Sequence, residues 1–311
     1  GQLVKLELWE KALLATVFGF IDIEGNRQYR EAILIVGKKN GKSLLASGVG
    51  LYLQLADGEA GPEVYAVATK RDQAKIIWQE AKRMVKKSPA LCRRMRSLVA
   101  ELDSDFNDGV FKPLASDSDT LDGLNIHGAM MDEIHQWKSG RALYDIIADG
   151  VTAREQPLIF ITSTAGTIRE DIYDEKYEEA ERIINGYEDP DGYHAPRRIA
   201  FIYELDKRSE WTDPSCWKKA NPGLGTIKSY TALKERVERA EKNPALVRNL
   251  VCKDFNIRET SSEAWLNFEQ LDNRDTFQLD RENRRLVWKR HMADGQTQER
   301  VLSYPRYGIG G

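Results

Sequence analysis

Two short segments carry the residue types needed to bind and cleave a phosphoanhydride. The first, Gly41-Lys42-Ser43, follows the aliphatic run 33–36 and precedes a second apolar stretch. A Gly-Lys-Ser sequence between a strand and a helix is typical of a phosphate-binding loop. In such a loop Gly41 lets the backbone approach a phosphate, Lys42 reaches the β- and γ-phosphates, and the Ser43 hydroxyl binds Mg²⁺.

This loop departs from the usual G-x-x-x-x-G-K-[ST] pattern at its start. Val36 stands where the first glycine is expected, and Gly37 follows one residue later. A glycine- and lysine-rich surface turn is therefore the alternative interpretation. The candidate nucleotide-binding residues are Gly37, Lys38, Lys39, Asn40, Gly41, Lys42, Ser43 and, upstream, Trp9. Trp9 is placed where many nucleotide motors hold the adenine, but a core-facing tryptophan on an amphipathic helix is an equal alternative.

The second segment ends a strand near 126–131 with the paired carboxylates Asp132-Glu133. In phosphate-loop ATPases the aspartate at this position binds Mg²⁺ through water, and the glutamate polarises the attacking water. A further strand, 157–162, runs into Ser163-Thr164, where hydroxyl groups are placed to sense the γ-phosphate. The order of the three motifs makes a chance match of all of them much less probable than a chance match of one.

The elements that must position these residues alternate between helix and strand. Apolar spacing predicts helices at 6–20, 43–55, 71–87, 175–184, 230–242 and 244–257, and strands at 31–36, 63–69, 157–162 and 198–205. We therefore expect an α/β fold: a P-loop NTPase core of the ASCE type, with a mostly parallel sheet flanked by helices. The strand at 63–69 separates the phosphate loop from the acidic pair, as this glutamate-using branch requires.

Composition sets the broad class. Three cysteines, Cys92, Cys216 and Cys252, stand far apart without a C-x-x-C, which argues against zinc and disulfides and favours a reducing cytoplasm. No apolar run reaches the length of a membrane span, so no membrane partner is expected. The net charge is −3, so contact with nucleic acid requires a local patch. One candidate cluster contains Lys82, Arg83, Lys86, Lys87, Arg93, Arg94 and Arg96, although a solvated helix face is the more common meaning of such a pattern.

Together these motifs resemble the large terminase subunit of tailed bacteriophages, the motor that packages DNA. The likeness covers about residues 5–270. Beyond the three motifs it includes Val67-Ala68-Thr69-Lys70-Arg71-Asp72-Gln73-Ala74-Lys75, Leu124-Asn125-Ile126-His127-Gly128 and Ala153-Arg154-Glu155-Gln156-Pro157-Leu158. The resemblance implies ATP and Mg²⁺ as cofactors, with Lys42 and Ser43 at the triphosphate. It also implies Asp132 on the metal, Glu133 as the catalytic carboxylate, and Ser163 and Thr164 coupling hydrolysis to movement.

The same resemblance implies partners and a location: double-stranded DNA, a small terminase subunit, a portal protein, a homo-oligomeric ring and the cytoplasm of a host bacterium. One departure concerns the transition-state cation. An arginine often stands where this chain has Lys38, and lysine cannot fork onto a phosphate as arginine does. Arg154, which we count among the catalytic candidates, and Arg141 are the replacements, in cis or from a neighbouring subunit.

The resemblance implies three regions: an ATPase domain at 1–205, a helical linker subdomain at 206–270 and a tail at 271–311. A ribonuclease-H-type nuclease is expected of the family, but Asp275, Asp280 and Asp294 lie in no apolar strand. We therefore expect the nuclease domain to be absent or truncated, and no endonuclease activity. A DNA or RNA helicase is one alternative function, although it requires a second motor domain that we do not find. An inactive terminase remnant is the other.

Overall fold

A computed structural model describes residues 3–116, 121, 123–167, 171–187, 189, 191–259, 275–280, 285–291 and 297–303. The chain forms two compact units, Gly1–Thr260 and Ser261–Gly311. The predicted boundaries at 205 and 270 differ from this division, and residues 260–270 lie outside the described part of the chain. The separation of an ATPase domain from a linker subdomain within the first unit stays a prediction. Among the described residues, no helix combines the length and apolarity needed to cross a membrane.

The first unit contains one eight-stranded sheet. Its strands are β1 Glu31–Ile35, β2 Glu63–Ala68, β3 Arg96–Ser97, β4 Leu102–Ser104, β5 Gly109–Ala115, β6 Ile126–Asp132, β7 Leu158–Ser163 and β8 Arg198–Ile202. Their spatial order is β3-β4-β5-β2-β6-β7-β1-β8. The pairs β3–β4 and β4–β5 are antiparallel, and the other neighbours are parallel. The predicted mostly parallel sheet is confirmed.

The strand that separates β1 from β6 in this sheet is β7, whereas β2 lies on the far side of β6. The sequence predicts this separating role for residues 63–69, because β2 is the strand between the two motifs along the chain. Order along the chain does not fix order in a sheet, since parallel strands are joined by long crossovers. The extra strand of this fold branch is present, but it is the Ser/Thr-tipped one.

Helices cover both faces of the sheet. They are α1 Leu8–Gly19, α2 Lys42–Leu55, α3 Arg71–Lys87, α4 Pro89–Cys92, α5 Gly140–Gly150, α6 Ile172–Gly186, α7 Trp217–Ala220, α8 Tyr230–Lys242 and α9 Pro244–Phe255. Along β1, Ala32 and Leu34 pack in the cluster that contains α1, α2 and α3 residues, whereas Ile33 and Ile35 pack with α5 and α6. Successive side chains of a strand point to opposite faces, so the apolar run 32–35 of β1 is buried on both sides.

A third apolar cluster joins the helices that follow β8. It contains Leu205, Trp217, Ala220, Leu224, Leu233, Val237, Ala240, Leu250 and Phe255. These residues come from α7, α8, α9 and the segments between them, which we call the helical segment (residues 205–257). Because the helical segment has its own apolar core, it forms a separate layer beside the sheet.

The second unit contains an antiparallel three-stranded sheet in the order β11-β10-β9. Its strands are β9 Asp275–Asp280, β10 Arg285–His291 and β11 Thr297–Ser303. The predicted tail at 271–311 therefore contains a sheet: Asp275 and Asp280 are the first and last residues of β9, and Asp294 lies outside the described residues. These strands carry only a weak sequence signal, because they mix charged with apolar residues.

Candidate nucleotide site

The three motifs meet at the carboxyl edge of the central strands. Ile35, the last residue of β1, pairs with Ser163 at the end of β7, and Asp132 at the end of β6 pairs with Thr162. Because β6, β7 and β1 are adjacent and parallel, the segments that follow them emerge at one edge. Ligands of open α/β sheets bind at this edge.

The phosphate loop makes the turn that its sequence predicts. Gly41 has φ +87° and immediately precedes α2, and Lys39 also has a left-handed backbone with φ 69°. The Lys42 side chain is buried and its Nζ donates to the Val36 carbonyl at 3.3 Å, which folds it back over the loop. The first turn of α2 presents backbone amides that have no partner within the helix, a favourable site for phosphate.

Ser43 and Asp132, the predicted ligands of Mg²⁺, are in direct contact. The Ser43 hydroxyl donates to Asp132 Oδ2 at 2.7 Å, and Thr162 Oγ1 donates to Asp132 Oδ1 at 2.8 Å. A hydroxyl and a carboxylate are the hard oxygen ligands that Mg²⁺ prefers, so the residues present fit this ion. Burial and the neighbouring Glu133 raise the pKa of Asp132. A bound cation would favour the ionised carboxylate and offset that shift.

Glu133 lies at the convergence of the motifs. Its Oε1 is 3.5 Å from Lys42 Nζ, and its Oε2 accepts from Thr164 Oγ1 at 3.2 Å. The residue has φ 51°, a strained backbone that occurs at functional sites. Burial alone would raise the pKa of Glu133, but Lys42, His135 and Lys253 outweigh it and hold the pKa below its usual value. The carboxylate is therefore ionised and available as a proton acceptor.

The predicted coupling residues contact this carboxylate directly or through one side chain. Thr164 donates to Glu133, as described above. Ser163 Oγ lies 3.1 Å from His135 Nδ1, and that nitrogen is 3.1 Å from Glu133 Oε2. Both hydroxyl residues are buried at the tip of β7. A change in the orientation of Glu133 would therefore alter the contacts of Ser163 and Thr164 at the end of β7.

The remaining candidates fall elsewhere. Arg154 pairs with Glu59 at 2.7 Å and donates to the carbonyls of Gly61 and Asn125, which precede β2 and β6. This is the amino edge of the sheet, and the length of β6, roughly 20 Å, separates it from the loop. Arg154 therefore cannot reach the nucleotide site of its own chain. Arg141 is exposed at the start of α5 and pairs with Glu175, so its role towards a neighbouring subunit stays a prediction.

Trp9 is buried with its ring edge-on to Tyr203, 5.6 Å between centroids. This is the placement of the core-facing alternative. In the loop, the Lys38 and Lys39 side chains are exposed, whereas Asn40 is buried. The Asn40 amide donates to the Gly37 carbonyl at 2.8 Å and to Asn221 Oδ1 at 2.9 Å.

Sequence reasoning missed the contribution of the helical segment. Asn221 links Asn40 to Lys228, whose Nζ lies 2.7 Å from Asn221 Oδ1 and 2.9 Å from Asp254 Oδ1. Lys253, the residue before Asp254 in α9, contacts His135 beside Glu133. No local sequence signal could have found the contacts of Lys253 with His135 and of Asn221 with Asn40, which join positions 118 and 181 apart.

The parallel order of the strands, the phosphate loop and the paired carboxylates define the class of protein: a P-loop NTPase of the ASCE type. The family described as "Terminase large subunit, ATPase domain" matches residues 8–182. That match covers more than half of the chain, which therefore belongs to the terminase large subunit family. The resemblance to the terminase large subunit, predicted from the motifs, is confirmed. The helicase alternative is thereby set aside.

Two known proteins are similar in sequence to this chain. "Protein YmfN" of Escherichia coli K12 is 33% identical over 147 residues, 47% of this chain and 31% of that protein. The large terminase subunit of Enterobacteria phage HK97 is 24% identical over 257 residues, 79% of this chain and 46% of that protein. The chain thus spans less than half the length of each of these relatives.

Solved structures share the fold. The crystal structure of the HK97 large terminase aligns with a TM-score of 0.72 at 22% identity, over 97% of this chain and 64% of that one. The ATPase domain of the Thermus phage P74-26 large terminase aligns with a TM-score of 0.53 at 15% identity, over 81% of this chain and 94% of that one.

The endonuclease part of the family is also represented. The family described as "Terminase large subunit, endonuclease domain" matches residues 195–288. The expectation that this chain lacks the nuclease domain, and with it the activity, is therefore not borne out. The match includes β9 and the start of β10, which lie in the region predicted to be the tail.

Proposed function

We propose that this chain hydrolyses ATP with Mg²⁺ at the carboxyl edge of the sheet and that the energy moves double-stranded DNA in a phage packaging motor. The observation that carries the proposal is the convergence of two motifs about 90 residues apart. The Ser43 hydroxyl lies 2.7 Å from Asp132, and the Lys42 ammonium lies 3.5 Å from Glu133. A surface turn, the alternative interpretation of this loop, would not bring these four groups together.

The residues divide the chemistry between them. Lys42 and the amides of the first turn of α2 bind the triphosphate and stabilise charge on the transferred group. Ser43 and Asp132 would hold Mg²⁺, which supplies neutralisation of the phosphate oxygens when it is bound. Glu133 orients a water against the γ-phosphorus and accepts its proton as the new P–O bond forms and the bond to ADP breaks.

The proposed DNA partner is supported by one surface. Residues 81–100 contain seven basic and no acidic residues in a chain whose net charge is −3. Arg83 and Arg96 are paired with Glu80 and Asp103, but Lys86, Lys87 and Arg93 are exposed. Exposed cations without acidic neighbours are the side chains that neutralise DNA phosphates. The small subunit, the portal, the ring and the host cytoplasm are supported only by family membership and belong to the same proposal.

The test is the rate of ATP hydrolysis with and without double-stranded DNA, for wild type and Glu133→Gln. The amide keeps the size of the side chain but cannot accept the proton, so turnover should fall by about 10²–10⁴-fold while nucleotide binding persists. Glu155→Gln, at an exposed position on the amino edge, is the matched control and should retain full turnover.

Turnover that rises with DNA and collapses in Glu133→Gln would support the motor. Nucleotide binding without turnover in either protein would favour the remnant alternative instead. Equal turnover in wild type and Glu133→Gln would refute the assignment of the catalytic carboxylate.

A further inference from the structure

The last turn of α9 packs directly against the phosphate loop. The Lys38 amide donates to the Lys253 carbonyl at 2.9 Å, and the Gly37 amide donates to the Ala220 carbonyl at 3.1 Å. The Asp254 carbonyl accepts from Asn221 Nδ2 at 2.8 Å. The helical segment is therefore hydrogen-bonded to the backbone of the nucleotide site, and a shift of α9 cannot leave the loop undisturbed.

The side chain of Lys253 extends from the same turn to the other half of the site. Its Nζ lies 2.6 Å from His135 Nε2 and donates to the Ala165 carbonyl at 3.3 Å. Lysine has protons to donate and no acceptor, so Nε2 of His135 must accept, and the ring proton resides on Nδ1. That nitrogen faces Glu133 Oε2 and Ser163 Oγ, each at 3.1 Å.

The histidine ring has little freedom to turn. It is 6% exposed and packs edge-on to Tyr173 with 6.1 Å between centroids. On another side, a Cβ added at Gly166 would lie 2.8 Å from His135 Cβ, so the backbone approaches as closely as a glycine allows. A ring held in this way transmits the position of Lys253 to Glu133 instead of absorbing it.

We propose that Lys253 is a positioning residue for the ATPase reaction: acting through His135, it holds the Glu133 carboxylate in the orientation that activates water. The inference rests on the proposed function, because it assigns a further residue to the same site. Since Lys253 belongs to α9, it also makes the alignment of the catalytic carboxylate depend on the seating of the helical segment. A carboxylate displaced by about 1 Å would lose on the order of 10²-fold in rate.

The test compares Lys253→Met, which keeps the length of the side chain but removes the ammonium, with Lys253→Arg, which keeps the charge and a donor. We expect kcat of Lys253→Met to fall at least tenfold, with nucleotide affinity, measured with a fluorescent ATP analogue, within about threefold of wild type. Lys253→Arg should recover most of the rate. Lys242→Met, at an exposed position on α8, is the matched control and should leave kcat unchanged.

His135→Gln breaks the same link from the other side and keeps the test decisive should Lys253→Met fail to fold. Residues that act in series give non-additive losses, so the double variant should be no slower than the slower single variant. A kcat for Lys253→Met within twofold of wild type, or losses that multiply in the double variant, would overturn the proposal. Failure of the proposed function is distinguishable, because wild type would then show no turnover or Glu133→Gln would show normal turnover.

Discussion

Gly37 is the residue where the loop and the helical segment come closest. A Cβ added at this position would lie 2.6 Å from Asn221 Oδ1 and 2.6 Å from the Asp254 carbonyl oxygen. Neither atom is at the end of a flexible side chain, since Asn221 is buried and hydrogen-bonded and the carbonyl belongs to α9. The glycine is therefore required here by close approach and not by an unusual φ.

Gly37→Ala should lower the free energy of unfolding by about 1–3 kcal/mol, because an extra methyl group has to displace well-packed backbone. It should also weaken nucleotide binding, since the displaced backbone is the phosphate loop. Urea unfolding and titration with a fluorescent ATP analogue measure the two effects. In α2, an added Cβ at Gly48 meets nothing within 4 Å, so Gly48→Ala should be neutral or stabilising by up to about 1 kcal/mol. If Gly37→Ala and Gly48→Ala had the same effect on stability and on nucleotide binding, the phosphate loop would be shown to accommodate an added methyl group readily.

At this scale the sequence predicts residues whose role follows from local spacing. Gly41, Lys42 and Ser43 are contiguous, and Asp132 with Glu133 ends a strand, so their chemistry can be inferred without the fold. The contact between Lys253 and His135 spans 118 positions and that between Asn40 and Asn221 spans 181. No local pattern encodes such pairings.

Three elements are joined by a buried ion pair at the amino edge of the sheet. Arg27, before β1, donates to both carboxylate oxygens of Asp57 at 2.8 and 2.9 Å, and His127 on β6 lies 2.7 Å from the same carboxylate. Burial would raise the pKa of Asp57, but hydrogen bonds from His127 and Arg27 outweigh it and hold the pKa below its ordinary value. Ionised Asp57 therefore stabilises the links that join the end of α2 to β6 and to the segment before β1.

Asp57→Asn should lower the free energy of unfolding by about 3–5 kcal/mol at pH 7, because it leaves Arg27 buried without its counter-charge. A lowered folded-state pKa stabilises the fold above the unfolded value, ordinarily 3.8, and this stabilisation is lost as the pH falls below it. The difference between variant and wild type should thus shrink below about pH 4, as measured by urea unfolding across pH. Glu238→Gln, which breaks an exposed pair with Lys234, should change stability by no more than about 1 kcal/mol. A cost for Asp57→Asn that persists unchanged at pH 3 would contradict the ionic explanation.

Among the elements, those with a strong apolar period were predicted well. The predicted helices 71–87 and 230–242 have the observed bounds, since α3 begins after Lys70 and stops at Ser88-Pro89, and α8 is capped by Ser229. The order of the strands in the sheet was harder to predict. The strand between β1 and β6 was expected to be β2, and it is β7. Arg154 lies shortly before β7 and hence at the amino edge of the sheet, so it is far from the site of its own chain, and its role towards a neighbouring subunit stays a prediction.

At the scale of the whole molecule, charge is unevenly distributed. The chain carries a net charge of −3, whereas residues 81–100 contain seven basic and no acidic residues, so any attraction of the proposed DNA partner must be local. This basic segment covers the end of α3, α4 and the start of the β3–β4 pair, at the edge of the sheet away from β8. The nucleotide site is at the ends of β1, β6 and β7, so the two surfaces are distinct and can be altered separately.

A triple variant tests whether this segment binds DNA. Lys86→Gln, Lys87→Gln and Arg93→Gln together remove three exposed positive charges. If each neutralises one phosphate, the slope of log affinity for duplex DNA against log salt should become less steep by about 3, and binding should weaken alike for unrelated sequences. Fluorescence anisotropy at several salt concentrations measures both.

The control triple Lys234→Gln, Arg239→Gln and Lys242→Gln removes the same charge from exposed positions of α8 and should leave the slope unchanged. If both triples lower the slope equally, DNA responds to the net charge of the chain and the basic segment has no special role. If neither does, the duplex is held elsewhere on the molecule.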